Sequence, residues 1–311
     1  MADPGEDGIM NRIIIDTDIG SDIDDAMALA LALRSPELKL EGVTTVYGDA
    51  HLRAKMVSKM IRLAGQSDIP VMAGLDRSLL GNRPIWMAGH EGEGLLAKGE
   101  ELEYDNRHAV DFIVETVMNN PGEITLIPIG PLTNIAASLI REPRIANNVK
   151  EIVLMGGATR LADNGADIRV VEHNIACDPE AASVVFGSGA PIVMVGLDVT
   201  MKVQITEAER QSLVATNDPL NLKLAGMMER WFDFVKEQHT YMHDPLTVSL
   251  LIDRSLVQTK KMNIQVEYDH RPRTGQTVAT FADHANVEVC LDVDASRMVR
   301  LLMSRLLKEG A

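Results

Sequence analysis

The chain has 311 residues, with 30 Lys plus Arg against 45 Asp plus Glu, a net charge of −15, and 46% hydrophobic and 24% charged residues. This balance excludes intrinsic disorder, collagen-like repetition and a disulfide scaffold, and it argues against a nucleic-acid-binding surface, which needs clustered cations. No apolar run reaches the roughly 18 to 20 residues of a membrane helix, and two widely spaced cysteines, Cys177 and Cys290, suit a reduced, cytoplasmic protein.

Residues 1–11 are polar and acidic and read as a disordered lead-in, not as a signal peptide. Residues 12–311 read as one domain. An apolar run at 12–15 predicts a buried strand, and residues 24–34 place Ala and Leu at helical spacing. A strand at 40–45 precedes a helix at 52–63. The alternation returns with a strand at 124–127 and a helix at 132–140, then with strands at 152–155 and 192–195. A helix follows over 221–237, then an apolar stretch at 246–251. Such alternation predicts an α/β fold, with a doubly wound, mainly parallel, Rossmann-like sheet covered on both faces. The tail changes period. Runs at 262–266, 277–281 and 287–291, separated by turn material such as 269–275, predict an antiparallel edge, and 295–307 a closing amphipathic helix. Two long Gly-rich connections, 81–94 with Trp86 and His90, and 156–171, are candidate binding loops.

The strongest local signal follows the first strand. Asp16, Asp18, Asp22, Asp24 and Asp25 put five carboxylates into ten residues with no Lys or Arg among them. In open α/β sheets, ligands bind beyond the carboxyl ends of strands. Two carboxylates about 6 Å apart repel by roughly 3 kcal/mol at an effective dielectric of 20. A convergent set therefore needs a cation or raised pKa values. A hard divalent cation suits such oxygen ligands. Helix capping by Asp24 or Asp25, and a solvated acidic loop, are the plain alternatives. An EF-hand counted from Asp16 would need Gly at Ser21 and Glu at Met27, and fails. An Asp-x-Asp start also occurs in haloacid-dehalogenase-like phosphotransferases. Gly20 departs from their pattern and their Lys and acidic partner motifs are not evident, so a Mg²⁺-dependent phosphohydrolase with an Asp nucleophile is the runner-up.

Asp16, Thr17 and Asp18, then Gly20, then Asp24, Asp25 and Ala26 resemble the N-terminal signature of the inosine–uridine-preferring nucleoside hydrolases. The resemblance covers nearly the whole chain. Gly42 to Gly48 (GVTTVYG) is similar to the family's second strand and its loop, and Pro128 to Asn134 (PIGPLTN) to its third motif. Leu154, Met155, Gly156 and Gly157, with Glu172, His173 and Asn174 and then Asp178 to Ala182 (DPEAA), resemble the fourth. Gly196 to Thr200 (GLDVT) and His243, Asp244 and Pro245 complete the set. One acidic cluster is weak evidence; six motifs in order are strong.

The resemblance implies cleavage of the N-glycosidic bond of ribonucleosides to free base and ribose, through an oxocarbenium-like ribosyl transition state as in O-glycoside cleavage. It implies Ca²⁺ held by Asp18, Asp25, the backbone carbonyl of Ile129, and Asp244, with Asp16 supporting the loop. Asp24 would be the general base toward a Ca²⁺-bound water. Asp22 is its rival, because the stretch before Asp24 is longer than in many relatives. Glu172 and Asn174 would bond ribose hydroxyls. Asp49 stands near the expected ribose pocket where many relatives have Asn, and the Asn often found shortly before the Glu172 motif is not evident in 164–169. His243 would be a general acid or an orienting donor for the leaving base, since an unperturbed imidazole titrates near 6.5. His90 would lie in a loop over the base. Met155, Trp231 and Phe232 would form apolar walls, or else belong to the core. The resemblance also implies a homo-oligomer, dimer or tetramer, in nucleoside salvage, with a small-molecule nucleoside substrate and neither nucleic acid nor membrane as partner. A third reading is a non-catalytic nucleoside or ribose binder on the same fold. The presence of Asp24, Asp25, His243 and Asp244 argues against it, because a binder needs no general base.

Overall fold

The computed structural model of the chain describes residues 10–161, 170–269, 274–281, 285 and 287–308. The lead-in before residue 10, residues 162–169 of the second Gly-rich connection, part of the 269–275 turn and part of the expected 277–281 strand surroundings lie outside the described residues.

The first strand, β1 (Asn11–Thr17), carries Ile13, Ile14 and Ile15, all fully buried. Consecutive β-branched residues suit a strand covered on both faces. It begins at Asn11, inside the expected lead-in. The chain continues through α1 (Asp24–Leu33), β2 (Leu38–Thr45), α2 (Ala50–Leu63), β3 (Val71–Ala73), α3 (Ala109–Asn119), β4 (Ile124–Pro128), α4 (Thr133–Arg141), α5 (Ile145–Asn148) and β5 (Glu151–Met155). Then come α6 (His173–Cys177), α7 (Pro179–Phe186), β6 (Ile192–Val195), α8 (Leu197–Thr200), β7 (Gln204–Thr206), α9 (Glu207–Ala215), α10 (Pro219–Val235), β8 (His239–Tyr241) and α11 (His243–Ser249). The tail is β9 (Val257–Val266), β10 (Thr277–Thr280), β11 (Val287–Val293) and α12 (Ala295–Leu307).

Among the described residues, nine strands form one sheet in the order β10-β9-β11-β6-β5-β4-β1-β2-β3. Every neighbour pair from β11 to β3 is parallel. Within this sheet, among the described residues, antiparallel pairing is confined to the C-terminal edge, β9 with β11 and β10 with β9; β7 and β8 form a separate antiparallel pair. The α/β expectation holds, with one refinement: β11 belongs to the parallel part through β6. Ile13 and Ile15 of β1 face one buried cluster with α1, α2, α10, α11 and α12, while Ile14 faces the other with α3, α4 and α7. From β1 the chain builds outward through β2 and β3, then returns to the other side at β4. The order therefore reverses between β1 and β4, and the crevice beyond their carboxyl ends is the position where such sheets bind ligands.

Several elements escape the sequence pattern. In α3 the apolar face, Ala109, Val110, Phe112, Ile113 and Val117, is rich in β-branched and aromatic residues that favour strands. The short α6, α7 and α8 are set by tertiary packing and caps; α7 starts at Pro179 with the Asp178 carboxylate accepting from the Ala181 amide at 3.0 Å.

Candidate active site

The loop leaving β1 and the loop leaving β4 meet at the switch point. Asp16 is fully buried and serves as an anchor. Its Oδ1 accepts from the Thr44 hydroxyl at 2.6 Å and from Asn134 Nδ2 at 2.8 Å. Asn134 also donates to the Thr45 carbonyl at 3.0 Å and accepts from the Leu75 amide at 2.9 Å, so one amide side chain ties together the ends of β1, β2 and β3. Gly74 permits this, because a Cβ there would stand 2.4 Å from Asn134. Burial pushes the Asp16 carboxyl up to about 7.

Asp24 and Asp25 open α1, and Asp244 opens α11. The two helices pack on each other, and one carboxylate oxygen from each of the three residues lies within 4.8 Å of the others. All three are buried, at 5%, 6% and 3% exposure. The Asp244 backbone amide donates to the Asp24 carboxylate, and the Thr17 hydroxyl donates to Asp25 Oδ1. Burial first, then repulsion among Asp18, Asp22, Asp24, Asp25 and Asp244, push these three carboxyls well above the usual range, and the Arg53 guanidinium partly offsets this at Asp25. Asp18 is half-buried and acts on all three through its charge. Its Oδ1 lies against Gly130, where an added Cβ would stand 2.7 Å away.

These donors fit a hard divalent cation. Oxygen ligands on one Ca²⁺, with bonds of 2.3–2.6 Å, stand at most about 5 Å apart, and the three carboxylates meet that limit. α1 has Ile23 at its N-cap position and no side-chain cap, so the capping role open for Asp24 or Asp25 is taken by neither. The Asp22 carboxylate accepts from the Ile23 and Asp24 amides and bonds the Thr240 hydroxyl, while burial pushes it up to about 7.

The Ile129 carbonyl, just past β4, accepts from Asn174 Nδ2 at 2.9 Å, and the same amide donates to the Met155 carbonyl at 3.2 Å. Asn174 thus bridges the ends of β4 and β5, with Met155 buried beside it. Glu172 caps α6. Its Oε1 accepts from the Asn174 amide at 2.7 Å, and its Oε2 from the Gly157 and Ile175 amides at 2.9 and 3.1 Å. His243 Nδ1 stands 2.7 Å from the Thr200 hydroxyl. Burial lowers its pKa to about 4, a correction to the value near 6.5. At pH 7 this ring is neutral and can offer an N–H, not an imidazolium.

The 81–94 connection folds back over the acidic loop. His90 Nε2 lies 2.9 Å from the Ser21 carbonyl, the Ser21 hydroxyl donates to Glu91 Oε1 at 2.6 Å, and Arg230 donates to the Glu93 carbonyl at 2.9 Å. The His90 ring meets Phe234 edge-on at 5.2 Å and Trp231 at 6.4 Å, and Trp231 stacks on Phe234 at 5.5 Å. Phe232 does not join this group. It is 3% exposed and packs in the core, whereas Phe234, at 46% exposure, stands with His90 and Trp231. Phe232 and Phe234, two residues apart, fall on opposite faces of α10. Asp49 is exposed and caps α2 through the Leu52 amide at 2.8 Å, outside the buried carboxylate group.

Sequence reasoning also passed over Arg53. It is fully buried on α2 and donates to the carbonyls of Tyr47, Asp18 and Ile19. Its signal was present: Arg53 falls at helical spacing with Ala50, Ala54, Val57 and Met60, on the face that buries.

Residues 13–300 match the family profile described as inosine-uridine preferring nucleoside hydrolase. The chain is 34% identical to the probable uridine nucleosidase 2 of Arabidopsis thaliana, covering 97% of this chain and 99% of that one. It is 36% identical to the inosine-uridine preferring nucleoside hydrolase of Crithidia fasciculata, over 96% and 98%. Among solved structures it superposes on the purine-preferring ribonucleoside hydrolase from Gardnerella vaginalis with a TM-score of 0.83 and 30% identity, over 96% and 98% of the two chains.

Proposed function

The chain belongs to the inosine-uridine preferring nucleoside hydrolase family and is an N-ribohydrolase, and we propose that it cleaves ribonucleosides with Asp24 as general base beside a Ca²⁺ site. The observation that carries this reading is the buried convergence of Asp24, Asp25 and Asp244 within 4.8 Å at the β1/β4 switch point. Asp18, Asp25, Asp244 and the Ile129 carbonyl would hold the ion. When bound, Ca²⁺ would neutralise these carboxylates, acidify a water molecule and grip the ribose diol.

Asp24 takes the proton from the attacking water. One of its oxygens is held by the Asp244 amide, which leaves the carboxylate oriented. Asp22 is the rival base; both carboxylates accept from backbone amides, and Asp22 also bonds Thr240. The Asn174 Oδ1 and the Glu172 carboxylate accept from ribose hydroxyls; both side chains are fixed by backbone bonds, which keeps them preorganised. Asp49, exposed at the start of α2, is a further ribose contact in this reading. Met155, His90, Trp231 and Phe234 wall the base, and His243 offers its N–H to the departing base. Relatives named for uridine and for purine preference both support ribonucleosides as the substrate class. Two free, buried thiols support a reducing, cytoplasmic location, and a homo-oligomer acting in nucleoside salvage completes the proposal.

The test is a panel of purine and pyrimidine nucleosides with CaCl₂, followed by reducing-sugar release. Free ribose without added phosphate is the expected product. Release of phosphate from phosphate esters, with no ribose from any nucleoside, would instead establish the phosphohydrolase reading.

A further inference from the structure

The geometry points to Arg53 as a positioning residue of the cation site, an inference that rests on the Ca²⁺ reading above. Arg53 sits in the first turn of α2 with no exposed surface. Its guanidinium bonds backbone carbonyls. Nε donates to the Tyr47 carbonyl at 2.7 Å, and Nη1 donates to the Ile19 carbonyl at 2.7 Å and to the Asp18 carbonyl. A buried, planar, multi-donor fork of this kind fixes the path of the main chain it bonds. Here that main chain directly follows the side chain of Asp18. The third carbonyl belongs to Tyr47, which holds φ at 66°, a left-handed conformation that bulky residues rarely adopt. The Tyr47 hydroxyl in turn accepts from the Trp86 amide at 2.7 Å. One side chain thus ties the acidic loop to the turn after β2 and, through Tyr47, to the loop bearing Trp86 and His90.

Two roles for Arg53 have opposite signs. Its charge acts on Asp25 and so competes with a cation; a purely electrostatic role makes Ca²⁺ bind tighter when the charge is removed. A fork that presents Asp18 makes Ca²⁺ bind more weakly when the fork is removed, whether or not the charge stays. Nη2 has no partner among the described residues, so the holding falls to Nε and Nη1, which reach two different loops. The single ammonium of a lysine cannot span both.

The experiment compares Arg53→Lys and Arg53→Met with the wild-type protein after EDTA treatment. Hydrogen–deuterium exchange should be roughly tenfold faster in peptides covering residues 17–22 and 46–50 of both variants, with residues 192–195 unchanged. Calorimetric titration with CaCl₂ should show binding weakened by about 10–100-fold in both, with turnover restored to within about threefold at saturating Ca²⁺. Tighter Ca²⁺ binding in Arg53→Met, with Arg53→Lys like wild type, would replace positioning by charge. Wild-type exchange in Arg53→Lys would overturn the inference outright. If Arg53→Met fails to fold, the lysine variant alone decides. If the wild-type protein binds no Ca²⁺, the cation reading fails, and the exchange comparison still decides whether Arg53 holds the two loops.

Discussion

Asp244→Asn exposes the energetics of the carboxylate group directly. Asparagine keeps the shape and the backbone amide that bonds Asp24, but removes one of three convergent charges. At the 4.8 Å limit, two unit charges repel by about 3.5 kcal/mol at an effective dielectric of 20. Asp244 faces both Asp24 and Asp25, which gives about 7 kcal/mol at that separation if all three are ionised. Their raised pKa values mean that partial protonation already relieves much of this. A gain of about 2–4 kcal/mol in the metal-free protein at pH 7.5 follows, or roughly 4–10 °C in Tm for a chain of this size. Calcium reverses the order. It stabilises the wild type by binding only the folded state and leaves the variant nearly unmoved. The pH dependence has a definite sign. A carboxyl with a raised pKa in the folded state keeps a proton that the unfolded chain has released, so each such group lowers stability as pH rises from about 4 through its folded value. For Asp16 and Asp22 that value is about 7. In EDTA the wild type should therefore melt higher at pH 5.5 than at pH 7.5. The assay is thermal unfolding with EDTA or CaCl₂ at both pH values. A metal-free Asp244→Asn protein that melts below wild type, with no Ca²⁺ shift in either, would refute the reasoning.

Asp24→Asn should keep Ca²⁺ binding and substrate affinity yet lose turnover by about 10²–10⁴-fold, because the amide cannot accept a proton; near-normal kcat, with Asp22→Asn inactive, would move the base to Asp22. His243→Ala should slow nucleosides with poor leaving groups far more than p-nitrophenyl riboside, and an unchanged ratio of the two kcat values would leave His243 a structural role only. Phe232→Ala should cost about 3–5 kcal/mol of stability by opening the core, whereas Phe234→Ala should raise KM with little change in Tm; denaturant unfolding and steady-state kinetics on both variants separate the two faces of α10.

The sequence by itself determined the layered α/β architecture and the neighbourhood of the site. Three successive buried isoleucines at 13–15 read as a two-sided strand, and the Asp run after them falls at a strand's carboxyl end. Those are local patterns, with periodicity and charge density visible within ten residues. Family motifs then carried the reading to Asp244, 219 residues beyond Asp25. What the tertiary structure decided is which groups face each other. That Asp24, Asp25 and Asp244 converge while Asp16 turns to Thr44 and Asn134 depends on the packing of α1 on α11 and on the clamp across three strand ends. The His243 imidazole is neutral because of burial that its neighbours in sequence do not reveal. Whether Phe232 lined a wall or the core was open in sequence, because a 3.6-residue period fixes the width of an apolar stripe but not its rotation against the core; the fold buries Phe232 and leaves Phe234 exposed. Arg53, a charge on an apolar face, was passed over in sequence. Its reason lies in backbone carbonyls at positions 18, 19 and 47, brought to it only by the folded sheet.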